Sequence, residues 1–400
     1  MIIDKKNSLL HFLIFVVFLT SMNCWIGWDG RAWFIYVFCG FLMFVYVLCG
    51  RIKLNITSKR IASFVILLYS SMYFKTSQGI ISLVPFLPVF VILMLPEESK
   101  VLCLKRVSKW MAYLLIPGFV LFFCAQFITL PSIGVSHIGG ALEEMSSTGY
   151  GIYSNHVFYV RSLYFSNYGM RFNGTFTEPG QLATMLSFLL MANQFDFRRR
   201  EIQLLLFFNL MTFSLSGYML TFIGYVLYRF YSGLSVKIIL KYTVPIVLLY
   251  LGTILYNGGD NLVNNLIFTR LQYDEETGFS GNNRVFGLIP YYYATMWSDS
   301  RLILYGYGKE TMEWLAQLGS RGTGYVYWMV SYGVIGTIVA SLFYLYNVVV
   351  AKNRKFAILF FVFLVFVFWQ RSKPFWISWY VCFVYGITYA SVKVKNGILK

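Results

Sequence analysis

Charge is scarce in this chain. Asp, Glu, Lys and Arg make up 12% of its 400 residues, against about a quarter in water-soluble domains, too little to cover a soluble globule of this size. Disorder is excluded from the other side. It requires low hydrophobicity, and 58% of these residues are hydrophobic and 20% aromatic. Histidine is nearly absent: His11 reads as a packing residue of the first apolar run, and His137 and His156 have no acidic or cysteine partner at metal-ligand spacing. The six cysteines (Cys24, Cys39, Cys49, Cys103, Cys124 and Cys382) form no Cys-x-x-Cys or other zinc pair. They read as small apolar residues in or beside apolar runs, except Cys103, which falls in a basic linker. No metal and no cofactor are expected. The chain also lacks a Walker A loop, a dinucleotide fingerprint and a Gly-x-Ser-x-Gly elbow, which argues against ATP-driven transport by this chain alone. Acid is the scarcest charge, with 16 Asp and Glu against 33 Lys and Arg, a net +17. A nucleic-acid binder would gather its basic residues on a polar face. Here they form small knots between long apolar runs, so no nucleic-acid partner is expected.

What is present is apolar length. A helix needs about 20 apolar residues to cross a bilayer. Runs lie near 9–27, 32–50, 61–74, 80–96, 108–130, 179–197, 202–215, 217–231, 242–256, 324–350, 356–369 and 374–391. These predict an all-α polytopic integral membrane protein of about 12 transmembrane helices, forming a single transmembrane domain over 1–400, with the lipid bilayer as its surroundings. The first run follows Lys5 and Lys6 like a secretory signal, but Met22 and Asn23 precede Cys24 where cleavage needs small residues. An uncleaved first helix is expected. The 202–231 stretch could be one tilted helix; Ser214, Ser216 and Gly217 favour a turn between two.

Lys and Arg mark the cytoplasmic side. With the N-terminus inside, 22 of the 33 basic residues fall in segments predicted inside, and only Arg31, Lys75, Arg371 and Lys373 in short segments predicted outside. Both termini are then cytoplasmic. The inside segments carry only Asp4, Glu97, Glu98, Asp196 and Glu201 as acids. The whole net charge therefore faces the cytoplasm and reports topology.

Two long segments, 131–178 and 257–323, fall on the outer side. Loops of this length are functional or disordered, and their aromatic content argues against disorder. The first carries Arg161 and Arg171, the second Arg270, Arg284, Arg301 and Arg321. A guanidinium stays charged and grips phosphate with a two-pronged fork. Two such loops packed over a membrane-surface cavity suit a pyrophosphate. The competing expectation pairs these arginines with Glu143, Glu144, Asp274 and Glu275. The tyrosines of both loops, including the run Tyr291, Tyr292 and Tyr293, suit an interfacial belt first and sugar stacking second. Glu178-Pro179 opens a helix. Its carboxylate either favours the helix dipole or accepts a proton from a sugar hydroxyl.

The stretch from Arg171 through Phe172, Asn173, Gly174, Phe176, Glu178 and Pro179 to Ala183 resembles the signature entering a mid-chain helix in bacterial O-antigen and capsular polysaccharide polymerases of the Wzy type. Ser214-Leu215-Ser216-Gly217 resembles the serine/glycine turn that follows. Asn283-Arg284, Gly306-Tyr307-Gly308 and Gly333-Val334-Ile335-Gly336 resemble the family's second loop and its exit. Related ligases carry a histidine where this chain has Gly322, which favours the polymerase. Arg270 to Gly281 fits an Arg-x10-Gly spacing seen in some polymerases, but neither Arg161 nor Arg171 does.

The resemblance implies a glycosyltransferase at the periplasmic face of the bacterial inner membrane. It would join undecaprenyl-pyrophosphate-linked oligosaccharide repeats, the growing chain as donor and one lipid-linked repeat as acceptor. A chain-length regulator protein is an expected partner. Pre-placed cations that bind the leaving pyrophosphate better in the transition state lower the barrier, and with no acidic cluster in the loops, metal-independent catalysis is expected. Arg171 and Arg284 are the expected catalytic clamps and Glu178 the expected base, with Arg161, Arg270 and Arg321 binding substrate. The alternatives are a lipid-linked oligosaccharide flippase or transporter, and an O-antigen ligase.

Overall fold

A computed structural model describes residues 7–28, 30–74, 85–137, 152–163, 171–233, 248, 251–253, 255–256, 260–261, 273–274, 278–279, 285–322, 324–371 and 374–395. These residues are mostly helical. In chain order they form α1 (Ser8–Thr20), a 3-10 turn (Trp25–Gly27), α2 (Arg31–Leu48), α3 (Ser58–Phe74), α4 (Phe86–Met94), α5 (Glu97–Cys124), strands β1 (Gly134–His137), β2 (Ile152–Asn155) and β3 (Val160–Ser162), α6 (Pro179–Ala192), α7 (Arg200–Met211) and α8 (Leu215–Ser232). Then come β4 (Tyr273–Asp274), β5 (Gly278–Phe279), β6 (Val285–Phe286), α9 (Ile289–Met296), α10 (Ser300–Tyr305), α11 (Gly308–Gln317), β7 (Arg321–Gly322), α12 (Tyr325–Val350), α13 (Arg354–Gln370) and α14 (Ile377–Lys395).

Among the described residues, three helices are long and apolar enough to cross a membrane: α2, α5 and α12. On α2, Phe34, Phe38, Phe41 and Leu48 are each more than 60% exposed. In water that stripe would be an aggregation surface; against lipid tails it is the expected solvent-facing side, so the architecture is compatible with a helical membrane protein. Twelve full crossings do not follow from the helix lengths. At 1.5 Å per residue, the 12 residues of α7 reach about 18 Å and the 9 of α4 about 14 Å, against a hydrocarbon core of about 30 Å. Of the run 242–256, only residues 248, 251–253 and 255–256 are among the described residues.

Other boundaries also move. The basic stretch before 108, expected as a linker, is the start of α5, and Cys103 is fully buried within it. Glu97 and Glu98 in the first turn suit the positive end of the helix dipole. The 202–231 stretch does break, at Thr212–Ser214, where Phe213 takes a left-handed φ of 44°. Ser214 Oγ accepts the Gly217 N–H at 3.4 Å, an N-cap for α8. The all-α expectation needs one amendment: the two segments expected outside carry small sheets, β1-β2-β3, β4-β5 and β6-β7, each antiparallel.

The chain divides into two compact units. The first comprises Met1–Tyr228, Leu342–Phe363 and Pro374–Lys400; the second comprises Arg229–Ser341 and Leu364–Lys373. In the first unit α14 packs against α1, α5 and α6, α2 against α1 and α4, and α7 against α5 and α6. A buried polar knot ties α6, α7 and α8. Ser187 Oγ meets Thr221 Oγ1 at 2.8 Å, and Asn209 Nδ2 donates to both hydroxyls at 3.0 and 2.9 Å. Gly217 permits this, because a Cβ there would lie 2.4 Å from Ala183 Cβ.

The helix ends of this unit segregate. At one end, Arg60 Nη1 and Lys100 Nζ donate to the last carbonyls around α4, Leu95 O at 2.7 Å and Leu93 O at 2.6 Å, where cations suit the helix dipole. Lys352 pairs with Glu97 at 2.7 Å there. At the other end of α5, Gly118 and Phe122 meet the first outer segment.

Candidate functional site

Residues 171–176 are all buried, although they belong to a segment expected as an outer loop. Side chains bind this segment to neighbouring backbone. Asn173 Nδ2 donates to Val160 O at 3.0 Å and Phe176 O at 2.6 Å. The Val160 N–H donates to Gly174 O at 2.9 Å. Phe172 fits between Phe119, Phe122 and Phe208, with ring centroids 5.5 to 5.8 Å away. Gln181 Nε2 donates to Met22 O, and Thr177 Oγ1 to Gln181 Oε1 at 2.6 Å.

The turn between α1 and α2 closes over the same segment. The Trp25 N–H donates to Thr175 O at 3.1 Å, its indole Nε1 donates to Val157 O at 2.7 Å, and Trp28 packs on Tyr153 at 5.1 Å. His156 is a fastener: Nδ1 lies 2.8 Å from Pro131 O and Nε2 3.2 Å from Ser154 Oγ. Gly118 lets α5 approach, since a Cβ there would stand 2.5 Å from Phe158 O. Burial pushes the Tyr159 hydroxyl up to about 12, against the opposing pull of Arg161. Cys24 is fully buried. Cys24, Cys39, Cys103 and Cys382 are buried as expected of small apolar residues, whereas Cys49 is exposed.

Arg171 is 6% exposed, and its Nε donates to Thr212 O at 3.2 Å, while the Phe172 N–H donates to Met211 O at 3.1 Å. These bonds join the segment opened by Arg171 to the serine/glycine turn some forty residues later. Tyr218, in the first turn of α8, lies within electrostatic reach of Arg171. Glu178 is half-buried at the N-cap of α6, in extended backbone, with Pro179 at the first helical position. Its carbonyl accepts from the Gln181 N–H at 3.1 Å, and its side chain makes no capping bond to the helix. Arg161 stands exposed on β3, one residue from the Val160 contact.

Arg270 and Arg284 lie outside the described residues. Of Arg321 only the backbone is described, paired with Phe286 across β6 and β7; next to it Gly322 pairs with Val285, which follows Arg284 in sequence. In the second unit the glycines are the fixed points. Within α12, Gly333 leaves helical geometry at φ 60° and ψ −162°. A Cβ on it would lie 2.5 Å from the Leu304 carbonyl, and one on Gly306 2.6 Å from the Tyr332 nitrogen. The Tyr307 N–H donates to Val330 O at 2.8 Å, satisfying a carbonyl at the break. Ile289, Met296, Met312, Leu315 and Val330 form the core beneath.

Trp25, Thr212 and Tyr218 escaped the sequence reading. Trp25 could have been found: the topology expected from the Lys/Arg pattern puts the α1–α2 turn on the same side as the segment 131–178. Thr212 contributes only a carbonyl, which no residue type announces. Comparison of the chain with known protein families, with characterised proteins and with solved structures returns no match.

Proposed function

We propose that this chain is a polytopic glycosyltransferase of the bacterial inner membrane, with about 12 crossings and both termini cytoplasmic. It polymerises undecaprenyl-pyrophosphate-linked oligosaccharide repeats at the periplasmic face. The observation that supports the reading best is the junction of two separated motifs: the Arg171 segment is bonded to the turn at Thr212–Ser214, and Glu178 opens the next helix a few residues on. An arginine seated against a helix C-terminus, in a fixed backbone frame, is pre-organised rather than searching for its partner, which is what transition-state stabilisation requires.

In this mechanism an acceptor hydroxyl attacks the anomeric carbon of the donor, and the lipid pyrophosphate leaves with the bonding pair. Glu178 takes the hydroxyl proton, and Arg171 and Arg284 bind the charge that grows on the leaving group. Arg161, Arg270 and Arg321 hold the substrate phosphates and sugars; the second-loop arginines enter on sequence alone. The test is the surface glycan of cells carrying Arg171→Ala or Arg284→Ala in place of the native chain. Each variant should insert at the native level and lose long polysaccharide, leaving a lipid core capped with a single repeat. Normal long-chain laddering in both variants would overturn the assignment.

One observation favours a second reading. Broken helices mark the substrate sites of transporters, and α12 is broken at Gly333. A flippase would leave no repeat on the surface when lost, and a ligase would leave polymer unattached to the core, so the same experiment separates all three.

A further inference from the structure

The end of the first unit where basic residues gather holds a feature that the proposed chemistry does not use. Lys105 on α5 and Lys393 on α14 place their ammonium groups over one ring, that of Tyr389, at 5.7 and 4.6 Å from its centroid. Arg199 lies within electrostatic reach of the Tyr389 hydroxyl, and Lys393 feels Asp196, Arg198, Arg199 and Lys105. Lys109 stands one turn along α5, over Tyr113 at 5.6 Å.

The acids present are few and mostly engaged. Glu201 Oε1 takes Arg199 Nη2 at 2.8 Å, and Asp196 Oδ1 takes Arg198 Nε at 3.2 Å. Lys393 is only 9% exposed, and among the described residues its ammonium makes no hydrogen bond or ion pair, only the contact with the ring. A charge so enclosed is costly unless it is paired. Three elements thus bring several cations and one enclosed ammonium to one spot with too little acid to balance them.

We propose that this cluster binds the phosphate of an anionic phospholipid headgroup, held between Lys105, Lys393 and Arg198. Lipid is favoured over a soluble anion by the surroundings. Tyr389 and Lys393 sit where the apolar run of α14 gives way to charge. Phe195, Phe197, Tyr225 and Tyr228 pack together beside Asp196 and Arg198, with centroids 5.4 to 6.4 Å apart, the aromatic layer expected at headgroup depth. Arg198 is 84% exposed and able to reach out from it. Basic pockets between transmembrane helices take anionic headgroups in this way. The site is independent of the glycosyltransferase reading, which bears only on the leaflet concerned.

The test uses the full-length protein purified in detergent and exposed to an equimolar mixture of phosphatidylglycerol, cardiolipin and phosphatidylethanolamine, with retained lipid counted by native mass spectrometry. The native protein should enrich the anionic lipids, and the double variant Lys105→Ala, Lys393→Ala should lose about tenfold of that enrichment. Lys105→Arg, Lys393→Arg should keep it, which separates lost charge from a damaged fold. Arg354→Ala, Lys355→Ala removes equal charge from another basic knot and should leave enrichment intact. Equal enrichment in the native protein and the double alanine variant overturns the proposal. So does displacement of the lipid by millimolar inorganic phosphate, which would make the ligand a free anion, or binding of a polyglutamate peptide with no lipid preference, which would make it an acidic protein.

Discussion

Residues 171–176 in the first outer segment and Leu304–Gly306 in the second are both pressed into their own unit, by different means. In the first, side chains reach backbone: Asn173 to Val160 and Phe176, Arg171 to Thr212, Trp25 to Val157. In the second, backbone lies on backbone, with Gly306 against Tyr332 and Gly333 against Leu304. A frame of side-chain bonds can be dismantled one bond at a time, each worth about 1 kcal/mol and more where a buried group is orphaned. A glycine contact has no such gradation, because a single methyl group has no free space. The first segment is therefore the better place for a tunable chemical site, and the second for a fixed joint.

The largest effect should come from the joint. Gly333→Ala forces a methyl to 2.5 Å from the Leu304 carbonyl at a φ of 60°. Overpacking and left-handed strain together should cost about 2–5 kcal/mol, seen as lost monodisperse protein in fluorescence-detected size exclusion. A monodisperse variant with native thermal stability would break the contrast. Asn173→Asp should come next. The carboxylate matches the amide in shape but has no N–H to offer the Val160 and Phe176 carbonyls, so the thermal midpoint should fall by the equivalent of about 2–3 kcal/mol. Asn173→Ala should do no worse, and a markedly larger loss for alanine would show that packing, rather than donation, holds the segment.

Arg171→Lys sharpens the contrast between frame and chemistry. Lysine keeps the charge and loses the planar fork. Stability should fall by about 1 kcal/mol through the weakened bond to Thr212, while long polysaccharide should be lost almost completely. Loss of polymer only in proportion to loss of folded protein would make Arg171 a strut and nothing more.

The membrane-like composition and the split of 202–231 were legible, because apolar length and a serine/glycine turn are residue-type signals. The start of α5 was not: Lys100, Lys105, Arg106 and Lys109 look like a linker when polarity is read alone, yet a helix can run past the apolar layer with its basic residues at the end. The site was half legible. Arg171, Glu178, Gly306 and Gly333 stand out by type and position. Their partners, the carbonyls of Thr212 and Leu304, are main-chain atoms that every residue carries. A glycine marks that something comes close and leaves unmarked what it is.

The smallest effect appears only in alkali and compares the two segments directly. Burial raises Tyr159 in the first to about 12, and burial, with help from Tyr325, raises Tyr293 in the second to about 12. Both are neutral in the folded chain where the unfolded one, titrating near 10, has begun to ionise. Their stabilisation is therefore complete below about pH 10 and declines as pH rises towards 12, by at most about 1.4 kcal/mol per pH unit for each group. Tyr159 is 1% exposed and should approach that limit, whereas Tyr293 is only half-buried and screened by solvent. Tyr159→Phe should then flatten the fall in thermal midpoint between pH 9.5 and 11.5 more than Tyr293→Phe does, with neither change visible at pH 7. The opposite ranking would place the tighter enclosure in the second segment and reverse the contrast.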